Sequence, residues 1–283
     1  MNHLNNILIP LDFSEASLNA LETAAAIAQL HGAKLQLLHV NDTSYDFLSA
    51  DSQYTGINIM PETSNDIIIA LASKVQKDNN IQTEVVLLEG NVSNAIVKTA
   101  WINSSDLIVM GTHGASGYRD SFIGSNTYSV VKHAACSVLT VPPNRKWQTF
   151  SRALIPIRPS KTALSPYPFV RKLMQAGGRT EVLNIATNRL DNQQKILDKI
   201  INETKKKFEE DKISTALFET EGKNPAQELL QASETLKSDL LVLTPSVDAV
   251  NKQLYVGPHA QKILHCARIP LLHIKLMNIP ALF

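Results

Sequence analysis

GTHGASGYRDSFIGS, residues 111–125, follows directly on Asp106-Leu107-Ile108-Val109-Met110 and holds Gly111, Gly114, Gly117 and Gly124, in a 283-residue chain with only 11 glycines. A cluster that dense marks backbone that must reach positive φ, or must come close to something with no Cβ in the way. It stands between a short apolar run and a helical pattern from about Ser125 to His133. The question is what approaches it.

The chain around it alternates short apolar strands with helical segments. Ile7–Leu11 reads as a strand and Ser14–His31 as a helix with an Ala-rich apolar face that stops at Gly32. Lys34–Val40 is a second strand, followed by a polar loop over about 41–62 and a helix near Thr63–Lys77. Gln82–Leu88, Val92–Asn103 and Leu107–Met110 read as strand, helix and strand, and Ser137–Val141, closed by Pro142-Pro143, is the last strand. Such alternation predicts an α/β fold with a five-stranded parallel sheet and helices on both faces. Ligands of these sheets sit beyond the carboxyl ends of the strands, where the strand order reverses. The glycines lie at one of those ends.

The pattern occurs twice. Ile9-Pro10-Leu11-Asp12 aligns with Ile155-Pro156-Ile157-Arg158, and Asp106-Leu107-Ile108-Val109 aligns with Asp239-Leu240-Leu241-Val242. The second offset, 133 residues, holds without a gap from Asp106 to Val141 and pairs Gly124 with Gly257. The chain is therefore two tandem Rossmann-like domains, 1–146 and 147–283.

Gly111 and Gly114 can turn amides inward as an anion-binding concavity, and Gly124-Ser125 opens a helix whose unpaired amides favour negative charge. The Ser125 hydroxyl and Asn126 amide add donors, a set that suits phosphate. The stretch matches neither GxxxxGK[ST] nor GxGxxG, which disfavours a P-loop NTPase and an ordinary dinucleotide fold. A turn that merely links strand to helix is the alternative.

Gly111-xx-Gly114, nine residues, then Gly124-Ser125 resembles the nucleotide signature of the universal stress protein family, in its ATP-binding branch. Ile7-Leu8-Ile9-Pro10-Leu11-Asp12-Phe13-Ser14, Leu37-Leu38-His39-Val40 and His133-Ala134-Ala135-Cys136-Ser137-Val138-Leu139 resemble its first, second and last strands with their flanks. The resemblance implies the adenine nucleotide alpha hydrolase-like fold and ATP, with Mg2+, as ligand. It implies that Pro10, Leu11 and Asp12 meet the adenosine end and that Val40 bonds adenine through its main chain. Gly111, His113, Gly114, Gly124, Ser125 and Asn126 would hold ribose and phosphates, and Met110 joins the nucleotide-binding set. Ala115 stands where many members carry a basic residue, which implies a weaker hold on the terminal phosphates.

Plainer roles stand beside these. Asp12 sits where it could cap the helix near Ser14, and His39, with no partner residue to define chemistry, reads as a packed histidine. His133 and Cys136 lack the second ligand pair that zinc needs, and no nucleophile–base pair is visible, so no dedicated catalysis is expected beyond slow ATP hydrolysis. Lys and Arg total 27 against 26 Asp and Glu, which excludes nonspecific nucleic-acid or membrane binding by charge. With no signal peptide, no membrane-length apolar run and only Cys136 and Cys266, a cytoplasmic protein is expected.

The second copy replaces Gly111 by Thr244, Gly114 by Val247, Ser125 by Pro258 and Asp12 by Arg158. One ATP per chain, in the first domain, is expected, with the nucleotide state regulating conformation or partner choice in a stress response. The two domains are expected to pair within the chain through their last strands; a homodimer of chains is compatible with this but no residue points to it. A nucleotide-independent interaction module is the alternative, and an adenylate-transferring enzyme is weaker because SGGxD-like and HxGH elements are not seen.

Overall fold

Ser14 and Gly32 bracket the first crossover in the computed structural model, which describes residues 3–42, 61–112, 123–143, 149–158, 163–186, 191–222, 224–244, 246–247, 254–255 and 257–275. Strand β1 (Asn6–Pro10) leads into helix α1 (Glu15–His31). Ser14 Oγ accepts from the Ser17 amide at 3.2 Å, and Gly32 ends the helix at φ 64°, a conformation that costs glycine least. Ala20, Ala24 and Ala28 recur every four residues with no exposed surface, so α1 lies close on the sheet with little side chain between. The chain continues through β2 (Lys34–Asn41), α2 (Pro61–Asn79), β3 (Thr83–Glu89), α3 (Val92–Ile102), β4 (Leu107–Gly111), α4 (Ser125–His133) and β5 (Ser137–Val141).

These five strands are all parallel, in the order β3-β2-β1-β4-β5. Ile7–Ile9, Leu107–Val109 and Leu37–Leu38 are buried as unbroken apolar runs, as a sheet covered on both faces requires. From β1 the chain runs outward to β2 and β3 on one side, and then returns to β4 and β5 on the other. The connections leaving β1 and β4 therefore part, and a crevice opens beyond their carboxyl ends.

The chain divides into two compact units, Met1–Gln148 and Thr149–Phe283. The second contains β6 (Phe150–Ile157), α5 (Tyr167–Leu173), β7 (Met174–Ala186), α6 (Asp191–Glu210), β8 (Ser214–Glu221), α7 (Pro225–Thr235), β9 (Leu240–Leu243), β10 (Ser246–Val247), β11 (Leu254–Tyr255), α8 (Pro258–Cys266) and β12 (Leu271–His273). Its parallel strands run β8-β7-β6-β9-β12, the same order as in the first unit. The repeat extends to side-chain devices. Asp106 Oδ2 accepts from the Asn5 and Asn6 amides at 2.6 and 3.0 Å, and the Asp239 carboxylate accepts from the Ser151 and Arg152 amides, each at 2.8 Å. In each domain the same aspartate anchors the start of the first strand.

Two differences bear on function. Helix α5 has 7 residues where α1 has 17, and begins at Tyr167, beside Pro166 and Pro168. The antiparallel pair β10–β11, with Val247 opposite Leu254, stands at the offset that corresponds to the glycine stretch of the first domain.

Candidate functional site

Past its last paired position, Pro10 opposite Leu38, β1 turns away from β2. Leu11 N–H still donates to the Leu38 carbonyl at 2.8 Å. Main-chain groups of alternate residues point to the same side of a strand, so the N–H and C=O of Val40 lie on the edge of β2 that β1 has left. A cleft of about 260 Å³ opens there, lined by Pro10, Leu11, Asp12, Val40, Met110, Gly111, Gly124, Ser125 and Asn126 among others. Residues from the ends of β1, β2 and β4 and from the start of α4 thus meet in one place. His113 and Gly114, with Ala115 and Gly117, lie outside the described residues, as does most of the polar loop that follows β2.

Gly111 is a glycine for a reason different from the expected inward-turned amide. It is the last residue of β4, and a Cβ there would lie 2.8 Å from the backbone carbon and the Cβ of Ala16 and 2.9 Å from the Ser17 nitrogen. The first turn of α1 is what approaches the glycine stretch. That approach brings Ser17 and Asp12 to the cleft beside β4.

Helix α4 is held to the same strand end. Thr127 Oγ donates to the Gly111 carbonyl at 3.0 Å, and Gly124 N–H donates to the Thr112 carbonyl at 2.9 Å, closing the base of the connection. Gly124 supplies no side-chain cap, and the first amide bonded within the helix is that of Tyr128, to the Gly124 carbonyl at 3.0 Å. The amides of Ser125, Asn126 and Thr127 precede it, a set of donors at the positive end of the helix dipole.

Asp12 is exposed, and its Oδ1 accepts from Ser14 N–H at 3.1 Å and Ser14 Oγ at 2.6 Å. Ser14, not Asp12, caps α1; Asp12 braces the cap from the cleft side. His39 stands behind this turn, with Nδ1 2.8 Å from the Leu11 carbonyl and Nε2 3.1 Å from Asn41 Oδ1.

Ser17, Leu38, Asp42, Val92, Ile96 and Thr127 also line the cleft, and sequence reasoning missed them. Val92 and Ile96 lie one turn apart at the start of α3, and nothing in the linear sequence says which end of the sheet they cover. With Leu38, Val40 and Met110 they form an apolar wall. Asp12, Asp42 and the start of α4 complete the lining, and among the described residues no lysine or arginine lines the cleft. The arrangement suits a ligand with a flat apolar ring, hydroxyl or amine donors, and an anionic end directed at α4.

The sequence profile of the universal stress protein family matches residues 3–142. A universal stress protein of Methanocaldococcus jannaschii is 32% identical over 146 residues, spanning 51% of this chain and 86% of that protein. The chain belongs to the universal stress protein family. A second relative, from Thermus aquaticus, is 32% identical over 138 residues, 48% of this chain and 96% of its own length. The crystal structure of a universal stress protein from Archaeoglobus fulgidus matches the fold with a TM-score of 0.73 at 18% identity, covering 96% of this chain and 97% of that one. The protein is thus a tandem member of the family, with two α/β domains of parallel sheet. No helix among the described residues is long and apolar enough to cross a membrane.

Proposed function

We propose that the first domain binds ATP, with Mg2+, in the cleft at the ends of β1, β2 and β4, and that the nucleotide state sets conformation or partner choice in a cytoplasmic stress response. The observation that carries this reading is the convergence of Asp12, Val40, Gly111 and the uncapped start of α4 on one crevice at the reversal of strand order. The base would lie against the apolar wall and bond the freed main-chain edge of Val40. Ribose hydroxyls have the carboxylates of Asp12 and Asp42 as acceptors, and the phosphates have the amides of Ser125, Asn126 and Thr127 as donors. We assign the cleft no dedicated catalytic step; at most the bound ATP is hydrolysed slowly.

Mass spectrometry of small molecules released by denaturing the purified protein tests the reading directly, together with calorimetric titration by Mg-ATP. An adenine nucleotide in the released fraction and a saturable heat of binding are expected. A nucleotide-free protein with no heat and no thermal shift on adding ATP would instead identify an interaction module that keeps the fold without the ligand.

A further inference from the structure

His39 is half-buried at the end of β2, and its ring contacts the residues on either side of Asp12. On one side Nδ1 lies 2.8 Å from the Leu11 carbonyl, and because a carbonyl only accepts, Nδ1 carries the proton of that bond. On the other side the Phe13 ring lies with its centroid 4.7 Å from the imidazole, tilted by 35°. Phe13 stands at φ 63°, a left-handed conformation that a bulky residue rarely adopts unless its surroundings impose it. Nε2, the unprotonated nitrogen, lies 3.1 Å from the side-chain amide of Asn41, which can donate to it only through its NH2.

The Leu11 carbonyl has a particular place in the sheet. Pro10 opposite Leu38 is the last paired position of β1 and β2, and Leu11 N–H donates to Leu38. In a ladder that continued, the Leu11 carbonyl would accept from the Val40 amide. Here it accepts from the side chain of residue 39, so the strands part while the first residue beyond the ladder remains fixed.

We propose that His39 is a positioning residue for the cleft: by holding the Leu11 carbonyl and the Phe13 ring it sets the turn that presents the Asp12 carboxylate and leaves the main chain of Val40 open. It acts through residues 11–13 and touches no ligand. The inference rests on the reading that this cleft binds an adenine nucleotide.

The test uses the full chain and three variants. Asparagine carries its amide nitrogen at the branch position of the imidazole Nδ1, so His39→Asn retains the donor to Leu11, whereas His39→Leu fills the space without one. Calorimetric titration with Mg-ATP should show binding weakened about tenfold in His39→Leu, the scale of one lost hydrogen bond, and restored to within about threefold of wild type in His39→Asn. In an Asp12→Asn background, His39→Leu should weaken binding by less than about threefold further, because both changes remove the same presented group. Should His39→Leu fail to fold by circular dichroism, His39→Gln, whose amide is one carbon too distant, takes its place. Wild-type affinity in His39→Leu, an asparagine variant as weak as the leucine one, or additive losses with Asp12→Asn would each overturn the positioning role while leaving ATP binding intact. No binding by the wild type to Mg-ATP would instead remove the reading of the cleft, and this inference with it.

Discussion

A Cβ on Gly111 would stand 2.8 Å from the Cβ of Ala16, closer than real side chains approach one another. The end of β4 and the first turn of α1 touch through backbone, and neither can yield by rotating a side chain. Gly111→Ala is therefore expected to lower stability by about 1–3 kcal/mol, the usual cost of forcing a group into a packed interior. Urea unfolding measures the loss, and Mg-ATP titration should show weaker binding because Ser17 and Asp12 move with α1. An unchanged unfolding midpoint would mean that the helix is free to slide.

That contact also marks the limit of what the linear sequence reveals. Ser14, Gly32, the alanine ladder and the start of α4 at Ser125 were legible because each depends on residues within one helix. So was the crevice, since alternating strands and helices dictate where a parallel sheet binds. Gly111 was legible as a glycine but not for its reason: the residue it accommodates is Ala16, at the far side of two crossovers. Thr127 and Ile96 join the cleft through packing, and Asp42 through the length of β2 past its ladder with β1; none has a periodicity that singles it out.

His273 gives the second domain a pH dependence. It is buried on β12, its Nε2 has no hydrogen-bond partner among the described residues, and burial pushes its pKa down to about 4. Between about pH 4 and the unfolded value near 6.5 the unfolded chain binds a proton that the folded chain does not, so stability rises with pH across that window. Its contribution is complete above about pH 6.5 and is lost progressively as pH falls toward 4, by about 3 kcal/mol in total. Denaturant midpoints of His273→Leu measured across this range should fall less steeply with acid than those of the wild type. Parallel curves would assign the acid sensitivity to other groups.

Gln36 and Glu181 occupy the same register, opposite Leu8 on β1 and Leu154 on β6, but only the second is ionisable. Gln36 Oε1 accepts from Asn103 Nδ2 at 2.7 Å. Glu181 is 1% exposed, pairs through Oε1 with Arg179 Nε at 2.7 Å, and leaves Oε2 without a hydrogen-bond partner among the described residues. Burial raises its pKa despite the nearby arginines Arg179 and Arg152, so the charged form is disfavoured in the folded state. A raised folded pKa means that stability declines as pH rises through it, and the cost is present in full above it. Glu181→Gln should therefore stabilise the protein at pH 7 by on the order of 1 kcal/mol. The gain should disappear in acid, where the wild-type carboxyl is protonated as well. Thermal melts at pH 7 and pH 4 check both halves, and a destabilised variant at pH 7 would show that the Arg179 pair outweighs the burial.

The second domain carries other residues at positions proposed to hold the nucleotide in the first. Thr244 follows β9 where Gly111 ends β4, Arg158 replaces Asp12, and the β10–β11 pair takes the place of the glycine stretch. Pro258 opens α8 as Ser125 opens α4; proline is well tolerated there but offers no amide to an anion. Mg-ATP titration should thus give one site per chain. Ser125→Pro, which carries the second domain's residue into the first, should weaken binding by about 10- to 100-fold, the scale of one hydrogen bond to a charged group. Because proline suits the first helical position, the thermal midpoint without nucleotide should stay within a few degrees of wild type. Two equivalent sites, or undiminished affinity in Ser125→Pro, would show that the phosphates are held by something other than the start of α4.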